Sequence, residues 1–349
     1  MQKYARWKDP ITGINPFLPT KARLDDRDPL ALVKPYLWSF KKLVGPLLSV
    51  AKLGVVAILF GVGYLVMSIG FVYSAVPAMK RAWTVGVAFV FGRLSLALLG
   101  FYYIDKEQVW LKKSLREKQE LKKTTVDSIE SGDLIIANHS SYVDILYLFT
   151  LYAPVFTEIS SETKLLRTVS FVEAMMRTGE YPTLNNPNDT QTLAQICKHA
   201  KEHRLGPVVV FAEGTTSNGR ALLKLVDVFD GLDVTQHHVH VFGIRYPFED
   251  FSPSYIVGGK LSHLIGLGAQ WYNNLDVKVC MYSPSLFRKS VEQEGIELSK
   301  EAIESILVQT TKLKMTSLGV SDKKDFFDFW MDKDTSGASN QSTTDKKTQ

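Results

Sequence analysis

Hydrophobic residues are unevenly distributed, and one dense block precedes a long region of alternating apolar and polar runs. Twenty-seven residues without a charge lie between Lys52 and Lys80, more than the ~20 that a helix needs to cross a bilayer. A second stretch, Ala82 to Ile104, is apolar apart from Arg93, and a central arginine costs ~2.5–3.5 kcal/mol on insertion scales. The first stretch predicts a membrane helix. The second predicts a span or a segment that re-enters or lies in the interface.

Basic residues that flank this block indicate its orientation. Residues 34–52 hold four lysines, residues 105–123 hold seven lysines or arginines, and the connection holds only Lys80 and Arg81. Positive charge favours the cytosolic side of a membrane. The pattern therefore predicts a hairpin over residues 43–104 with both ends in the cytosol. A hairpin with so short a connection also fits a single monolayer, such as that of a lipid droplet.

Beyond the block, strand and helix patterns alternate. Apolar runs predict buried strands at residues 133–138, 154–160, 207–214, 238–246 and 276–282. Helical spacing predicts helices at residues 108–125, 142–151, 164–178 and 188–203. Such alternation favours βαβ units. The predicted fold class is α/β, a mixed and largely parallel sheet covered by helices and preceded by an N-terminal membrane hairpin.

Composition narrows the class of protein. A net charge of +5 on 349 residues does not favour nucleic acid, and it suits an anionic membrane face. Two cysteines, Cys197 and Cys280, without a CxxC pattern favour neither a disulfide scaffold nor a cysteine zinc site. The GxSxG, Walker A and GxGxxG patterns do not occur. Serine hydrolases of the α/β class, ATPases and Rossmann dehydrogenases therefore lack their usual support.

The first candidate for chemistry is the segment Asn138–Asp144, NHSSYVD, where a predicted strand ends and a helix begins. Ligand sites in α/β sheets lie at such strand ends. His139 has a side chain suited to general-base work near neutral pH. Asp144, five residues later, is placed to orient the imidazole and stabilise its charged form. Ser141 and Asp144 also form a capping box, so the pattern alone leaves a structural role open.

The second candidate is FAEGTTSNGR, residues 211–220, which follows another predicted strand. Gly214–Ser217 offer backbone amides and hydroxyls as donors, and Arg220 and Lys224 follow as cations that suit a phosphate. An ordinary turn would explain the glycine and the hydroxyls. It would not explain Glu213 at the end of a buried strand.

Together, NHSSYVD and FAEGTTSNGR resemble the NHxxxxD and FPEGT blocks of the glycerolipid acyltransferases, a family that includes 1-acylglycerol-3-phosphate acyltransferases. The order of the blocks and the 74-residue separation of His139 and Glu213 also fit. The resemblance spans about residues 125–290 and extends to the membrane anchor. It implies that His139 deprotonates an acceptor hydroxyl, which attacks an acyl-CoA thioester while Asp144 orients the base.

The resemblance also implies that Glu213, Gly214 and Thr215 position the glycerol phosphate of the acceptor. In the family an arginine usually precedes the FPEGT block, after a run like GxIFIxR, and the corresponding residues 178–186 contain none. Three cations are therefore candidates to replace it: Arg177, Arg220 and Lys224. Of these, Arg220 is predicted to bind substrate. A later family block, an apolar strand that ends in proline, corresponds to residues 242–247.

The implied reaction is acyl-CoA-dependent esterification of lysophosphatidic acid to phosphatidic acid, as in phospholipid and triacylglycerol synthesis. Alternatives are the same chemistry on another lysophospholipid or on glycerol 3-phosphate, and a weakly catalytic, membrane-tethered scaffold at lipid droplets. No cofactor is expected beyond acyl-CoA as co-substrate. No metal is expected either, because His238 and His240 share a strand face without a carboxylate or cysteine nearby in the sequence.

The expected location is the endoplasmic reticulum membrane or a lipid droplet, with the catalytic domain facing the cytosol. Four parts follow from the pattern. They are a cytosolic N-terminal segment at 1–42, the membrane-anchoring hairpin at 43–104, an acyltransferase domain at 105–332 and a disordered tail at 333–349.

Overall fold

A computed structural model of the chain describes residues 2–20, 34–109, 129–160, 163–180, 189–232, 237–281 and 299–331. The helix predicted over residues 108–125 lies outside the described residues from 110 onward. The tail predicted over residues 333–349 lies wholly outside them.

The described residues form a seven-stranded sheet in the order β1-β7-β6-β2-β5-β3-β4. The strands are β1 (Ile104–Val109), β2 (Leu134–Ala137), β3 (Val155–Ile159), β4 (Leu166–Val169), β5 (Val208–Phe211), β6 (Val239–Arg245) and β7 (Leu275–Met281). The pairs β3–β4 and β6–β7 are antiparallel, and the other four pairs are parallel. This confirms the predicted mixed, largely parallel sheet.

Helices cover both faces of the sheet. They are α1 (Lys34–Ser68), α2 (Pro77–Leu98), α3 (Tyr142–Tyr152), α4 (Phe171–Arg177), α5 (Leu193–Glu202), α6 (Lys260–Gly268), α7 (Lys300–Thr311) and α8 (320–331). Strand β2 shows why both faces need cover. Leu134 and Ile136 join a core with α5 and α7, and Ile135 joins a core with α2 and α3. Central strands of a largely parallel sheet are apolar on both faces for this reason.

The prediction of a single helix over residues 164–178 is wrong for the first half of that range. Strand β4 occupies Leu166–Val169 and pairs antiparallel with β3, and only then does α4 begin. Ser170 separates the two elements, because its Oγ accepts a hydrogen bond from Glu173 N at 3.2 Å and caps the helix. The apolar spacing of this segment suits either element, and pairing with β3 decides the outcome.

Two segments are long and apolar enough to cross a membrane. The first, Leu43–Tyr73, comprises most of α1 and the 3-10 helix that follows it, and the second, Pro77–Leu98, is α2. Arg93, which made the second segment doubtful, donates from Nη1 to the carbonyl oxygen of Phe101 at 2.7 Å. Helix α1 contacts α6, and α2 contacts α3. Their remaining surface exposes many large apolar side chains, among them Leu47, Ile58, Tyr64, Leu65, Val90 and Leu94.

Both ends of the described chain meet at one place. Trp7 and Phe17 from the N-terminal segment join Phe326 of α8 in a separate hydrophobic cluster. Asp9 Oδ1 also accepts hydrogen bonds from the backbone and hydroxyl of Ser317, at 3.0 and 2.7 Å. Residues 2–20 are therefore part of the folded body.

Candidate active site

The turn between β2 and α3 holds His139 against Asp144. His139 Nδ1 lies 3.0 Å from Asp144 Oδ2, and both side chains are buried. The same oxygen accepts hydrogen bonds from the backbone nitrogens of Ser140 (2.7 Å) and Ser141 (2.9 Å). Ser141 also caps α3, and its hydroxyl accepts from Val143 N. The helix cap and the His–Asp pair are thus one structure.

The second carboxylate oxygen of Asp144 accepts a hydrogen bond from the hydroxyl of Tyr246, which follows β6. Burial raises the pKa of Tyr246 well above its usual value, so this hydroxyl keeps its proton and donates. Because the carboxylate only accepts, His139 Nδ1 must carry the proton that joins the pair. The other ring nitrogen, Nε2, then holds the lone pair of a neutral imidazole.

Glu213 connects the two motifs. Its carboxylate is fully buried, with Oε1 accepting from His139 N at 3.1 Å and Oε2 accepting from Leu223 N at 2.9 Å. Burial raises the pKa of Glu213 to about 8, and hydrogen bonds from Leu223 and His139 oppose the rise. Glu213 therefore holds the backbone of His139 and is not among the residues that line the cleft described next.

His139 lines an open cleft with about 560 Å³ of empty space, part of which is continuous with solvent. The imidazole stacks on Phe211 with ring centroids 4.1 Å apart. One part of the lining is polar and includes His139, Gly214, Thr215, Thr216, Arg177 and Glu180. Another part is apolar and includes Ile145, Phe156, Ile159, Val169, Ala174 and Phe211. A cleft lined by both polar and apolar side chains suits an amphiphilic ligand.

The predicted binding residues are only partly brought together. Gly214 and Thr215 line the cleft with His139. Arg220 and Lys224 are exposed and are not among its lining residues. Gly214 adopts a positive φ of 68°, and a Cβ there would lie 2.8 Å from Val320 Cγ2. The glycine is therefore required by both its backbone conformation and its contact with α8.

Arg177 is the cation that does line the cleft. Its Nη1 lies 2.8 and 3.0 Å from the two carboxylate oxygens of Glu158, and its Nε lies 3.3 Å from Glu173. Arg167 contacts the same two glutamates. The guanidinium of Arg177 is consequently held in one place by partly buried ion pairs.

Two histidines at β6, His238 and His240, lie near the carboxylate of Asp133, which is distant from them in the sequence. Asp133 lies 3.6 Å from His238 and 3.7 Å from His240. Across the described residues, no group of three or more His, Cys, Asp or Glu side chains is arranged to hold a metal ion.

Sequence reasoning missed the roles of Tyr246 and Asn138. Asn138 Oδ1 accepts from Ile244 N at 2.7 Å, and its Nδ2 donates to Ile244 O at 2.9 Å, which ties the motif to β6. A signal was present in the block at residues 242–247. The resemblance matched these residues to a family block without indicating which side chain would reach Asp144.

A family model described as Acyltransferase matches residues 94–229, which contain both motifs. A Schizosaccharomyces pombe protein, provisionally named a lysophosphatidic acid:oleoyl-CoA acyltransferase, is 28% identical over 242 residues, 67% of this chain and 70% of that protein. A lysophospholipid acyltransferase of Arabidopsis thaliana is 25% identical over 271 residues, 72% of this chain and 65% of its own length.

Among solved structures, the 1-acyl-sn-glycerophosphate acyltransferase of Thermotoga maritima covers 76% of this chain and 97% of its own. The identity is 15% and the TM-score is 0.42, a likeness too weak to carry a functional conclusion. The family match spans both strand ends at which His139 and Glu213 meet. Residues 94–229 of this chain match the acyltransferase family model, and the protein is an enzyme of the acyltransferase type.

Proposed function

We propose that the protein transfers an acyl group from acyl-CoA to the free hydroxyl of lysophosphatidic acid, with His139 as general base. The observation that carries the proposal is the 3.0 Å contact between His139 Nδ1 and Asp144 Oδ2, on a ring that lines the cleft. Asp144 fixes the proton on Nδ1, which leaves Nε2 to accept the proton of the acceptor hydroxyl.

The proposed steps balance without a covalent enzyme intermediate. The acceptor oxygen forms a bond to the thioester carbonyl carbon as its proton moves to His139 Nε2. The carbonyl electron pair moves onto its oxygen to give a tetrahedral oxyanion. Collapse of that intermediate breaks the carbon–sulfur bond, and His139 gives its proton to the departing thiolate of CoA. Asp144 stabilises the imidazolium between the two proton transfers.

Arg177 is the residue we assign to the acceptor phosphate in place of the missing family arginine. Of the three candidate cations, Arg177 alone lines the cleft, whereas Arg220 and Lys224 are exposed outside it. Its ion pairs with Glu158 hold the guanidinium before substrate arrives, which lowers the entropy lost on binding. Gly214 and Thr215 then contact the glycerol backbone, and Glu213 positions the loop.

The first test is an acyl-transfer assay with labelled oleoyl-CoA and lysophosphatidic acid. We expect His139→Ala to lower kcat by about two to four orders of magnitude, as loss of a general base does. Equal activity in the variant and the wild type would contradict the assignment of the base. Arg177→Gln should raise KM for the acceptor about tenfold or more, the effect of a lost charged hydrogen bond, while Arg220→Gln should leave it nearly unchanged.

A second acceptor class is favoured by one observation. Glu180 and Arg177 both line the cleft, and the Glu180 carboxylate pairs with Lys260 Nζ at 3.3 Å. A cleft that offers a carboxylate as well as a guanidinium suits a headgroup that carries both a phosphate and an ammonium. Lysophosphatidylethanolamine and lysophosphatidylcholine have such headgroups. An acceptor panel that includes lysophosphatidylinositol and glycerol 3-phosphate separates the candidates, and Glu180→Gln should reduce the preference for zwitterionic acceptors if they are the substrates.

The proposed setting is the cytosolic face of the endoplasmic reticulum or a lipid droplet, with the α1–α2 hairpin embedded in one monolayer. Arg81, near the tip of the hairpin, donates from Nη1 to the carbonyl oxygens of Ala153 (2.8 Å) and Leu205 (3.0 Å). Both acceptors belong to the catalytic body, on the side that also exposes Glu202. A tip tied to that body supports the monolayer arrangement over a crossing hairpin.

Cysteine labelling tests this topology in sealed microsomes. Lys80 and Glu202 are both exposed, and the native Cys197 and Cys280 are buried. With a membrane-impermeant maleimide, Lys80→Cys should react from the cytosolic side as fast as Glu202→Cys. Protection of Lys80→Cys until detergent is added would establish a crossing hairpin instead.

A further inference from the structure

The loop after β5 carries two hydroxyls whose role the base and the phosphate anchor leave open. Thr215 and Thr216 are only 6% and 1% exposed, and both line the cleft with His139. Among the described residues, neither Oγ1 atom has a hydrogen-bond partner. A buried hydroxyl without a partner is unfavourable. Its presence beside the base therefore points to a ligand atom that completes the hydrogen bond.

Thr216 lies next to the base along a direct backbone contact. The following residue, Ser217, donates from its backbone nitrogen to the carbonyl oxygen of His139 at 2.9 Å. Because Ser217 directly follows Thr216, this hydrogen bond also fixes the position of Thr216 relative to the imidazole. Glu213, which accepts from His139 N, fixes the start of the same loop.

Lys323 of α8 holds the backbone of Thr216. Its Nζ is buried and donates to the carbonyl oxygens of Thr216 (3.2 Å) and Ile256 (3.0 Å). Burial lowers the pKa of Lys323 to about 7, and the nearby Glu213 carboxyl opposes the fall. Helix α8 lies beyond the residues that the family match covers. A buried amine that bridges two loop carbonyls requires a reason, because Lys is rarely buried.

We propose that Thr216 Oγ1 donates a hydrogen bond to the oxyanion of the tetrahedral intermediate, and that Lys323 is the positioning residue that aims it. The inference rests on the proposed acyl transfer. As the acceptor oxygen bonds to the thioester carbon, the carbonyl electron pair moves onto oxygen, and the Thr216 hydroxyl meets the charge there. The donor needs no reorganisation at that moment, so it stabilises the transition state more than the substrate.

Kinetics of the full chain in detergent micelles test the role of the hydroxyl. Thr216→Val should lower kcat by about 10²-fold or more, the usual effect of losing one such donor. KM for oleoyl-CoA should stay within about twofold, because the bond forms only in the transition state. Thr216→Ser should retain most activity, and Thr216→Ala provides a second hydroxyl-free variant. Thr310→Val is the matched control, since Thr310 is buried outside the cleft lining and donates within its own helix, to Ile306 O at 2.8 Å.

A double-mutant cycle tests Lys323. Lys323→Met should lower kcat less than Thr216→Val does, and the double variant should be no slower than Thr216→Val alone, because both changes remove one interaction. Lys323→Arg, which keeps donors, should recover part of kcat. Lys324→Met, on the exposed side of α8, should match the wild type. Losses that multiply in the double variant would show that Lys323 does not act through Thr216.

Three possible results distinguish a failure of this inference from a failure of the proposed function. If Thr216→Val raises KM with kcat unchanged, the hydroxyl binds the ground state and the oxyanion role is wrong. If His139→Ala keeps full activity in the same assay, the acyl-transfer mechanism fails as a whole. Loss of activity in His139→Ala together with wild-type kcat in Thr216→Val would overturn the inference alone.

Discussion

Four hydrogen bonds end on the carboxylate of Asp144, and their donors decide what it does. Two come from backbone amides of Ser140 and Ser141, one from His139 and one from Tyr246. A carboxylate accepts all four because it has no proton to donate. A side chain that both donates and accepts would leave at least one of these donors unmatched.

Replacing Asp144 tests this directly. In Asp144→Asn the amide group faces donors only, so the imidazole loses its orientation and its preferred tautomer. We expect kcat to fall by about 10³-fold or more, as in the Ser-His-Asp template. Tyr246→Phe removes one donor and leaves the His139 contact in place, so its kcat should fall by about tenfold or less. Steady-state kinetics of the two variants at one pH provide the comparison, and equal losses would contradict it.

Glu213 predicts a dependence of stability on pH. Burial raises its pKa to about 8 from an ordinary value of 4.5, so the folded state holds the proton more tightly than the unfolded state. The stability from this group is complete below pH 4.5 and is lost as pH rises through about 8. The melting temperature of wild type minus that of Glu213→Gln should therefore decrease from pH 5 to pH 8. A constant difference would show that Glu213 does not titrate in this range.

The pairing of His139 with Asp144 was predictable because both residues belong to one local segment whose spacing fixes their separation. Thr216 was also visible, as part of a loop of donors. Tyr246 and Lys323 were not predictable, since each reaches the site from a distant part of the chain. The cation that we propose for the acceptor phosphate was likewise not predictable from the local sequence. Arg177 and Arg220 were both candidates, and only the fold places one of them in the cleft.

At the scale of elements, helix α2 depends on small residues where it meets α3. Gly92 is buried, and a Cβ at this position would overlap Thr150 Oγ1. Ala88 and Ser95 are also buried on α2. Small residues allow two helices to approach closely. The contact joins the hydrophobic hairpin to the helix that begins at the His–Asp pair.

Gly92→Leu should separate α2 from α3. We expect a melting temperature lower by several degrees and reduced kcat, because α3 carries Asp144 and overpacking of a tight contact costs about 1–3 kcal/mol. Gly86→Leu on the same helix is the control, since a Cβ there meets no atom within 4 Å. Differential scanning fluorimetry in detergent checks both variants. An equal decrease in the two would indicate that the effect comes from helix composition.

Elements were predictable where their hydrophobic pattern was unambiguous. Strands β2 and β5 are short apolar runs buried on both faces, and both were found at the predicted positions. Strand β1 was missed because polar and charged residues occupy most of it. Strand β4 was missed because its apolar spacing also suits a helix. Both strands lie at the edges of the sheet. There, hydrogen bonds to the one neighbouring strand decide the secondary structure, and the local hydrophobic pattern does not.

At the scale of the whole molecule, the apolar outer surface of α1 and α2 is the main exposed hydrophobic feature of the described chain. It continues toward the cleft, because Phe60 of α1 contacts Phe171 at the start of α4, and Ala174 of α4 lines the cleft. Exposed apolar surfaces of this size mark contacts with lipid or protein. Here the surface leads to a cleft with an apolar wall, which suits delivery of a lipid acceptor from the membrane.

Charge placed on that surface should weaken membrane binding without unfolding the protein. Ile58 and Leu65 are each 65% exposed, so Ile58→Lys and Leu65→Lys together should shift the protein toward the soluble fraction in a vesicle sedimentation assay. Ile11→Lys is the matched control, because Ile11 is 85% exposed on the N-terminal segment. Equal sedimentation of all three proteins would indicate that this surface does not contact lipid.

The meeting of the two ends of the chain sets an order of events during synthesis. The hydrophobic helices leave the ribosome early and can reach a membrane while the remainder is still being translated. Helix α8, whose Val320 lies against Gly214 and whose Lys323 holds Thr216, is made after the other described helices and strands. On the proposed function, a chain that ends before α8 would therefore lack the contact that positions Thr216 and would be inactive.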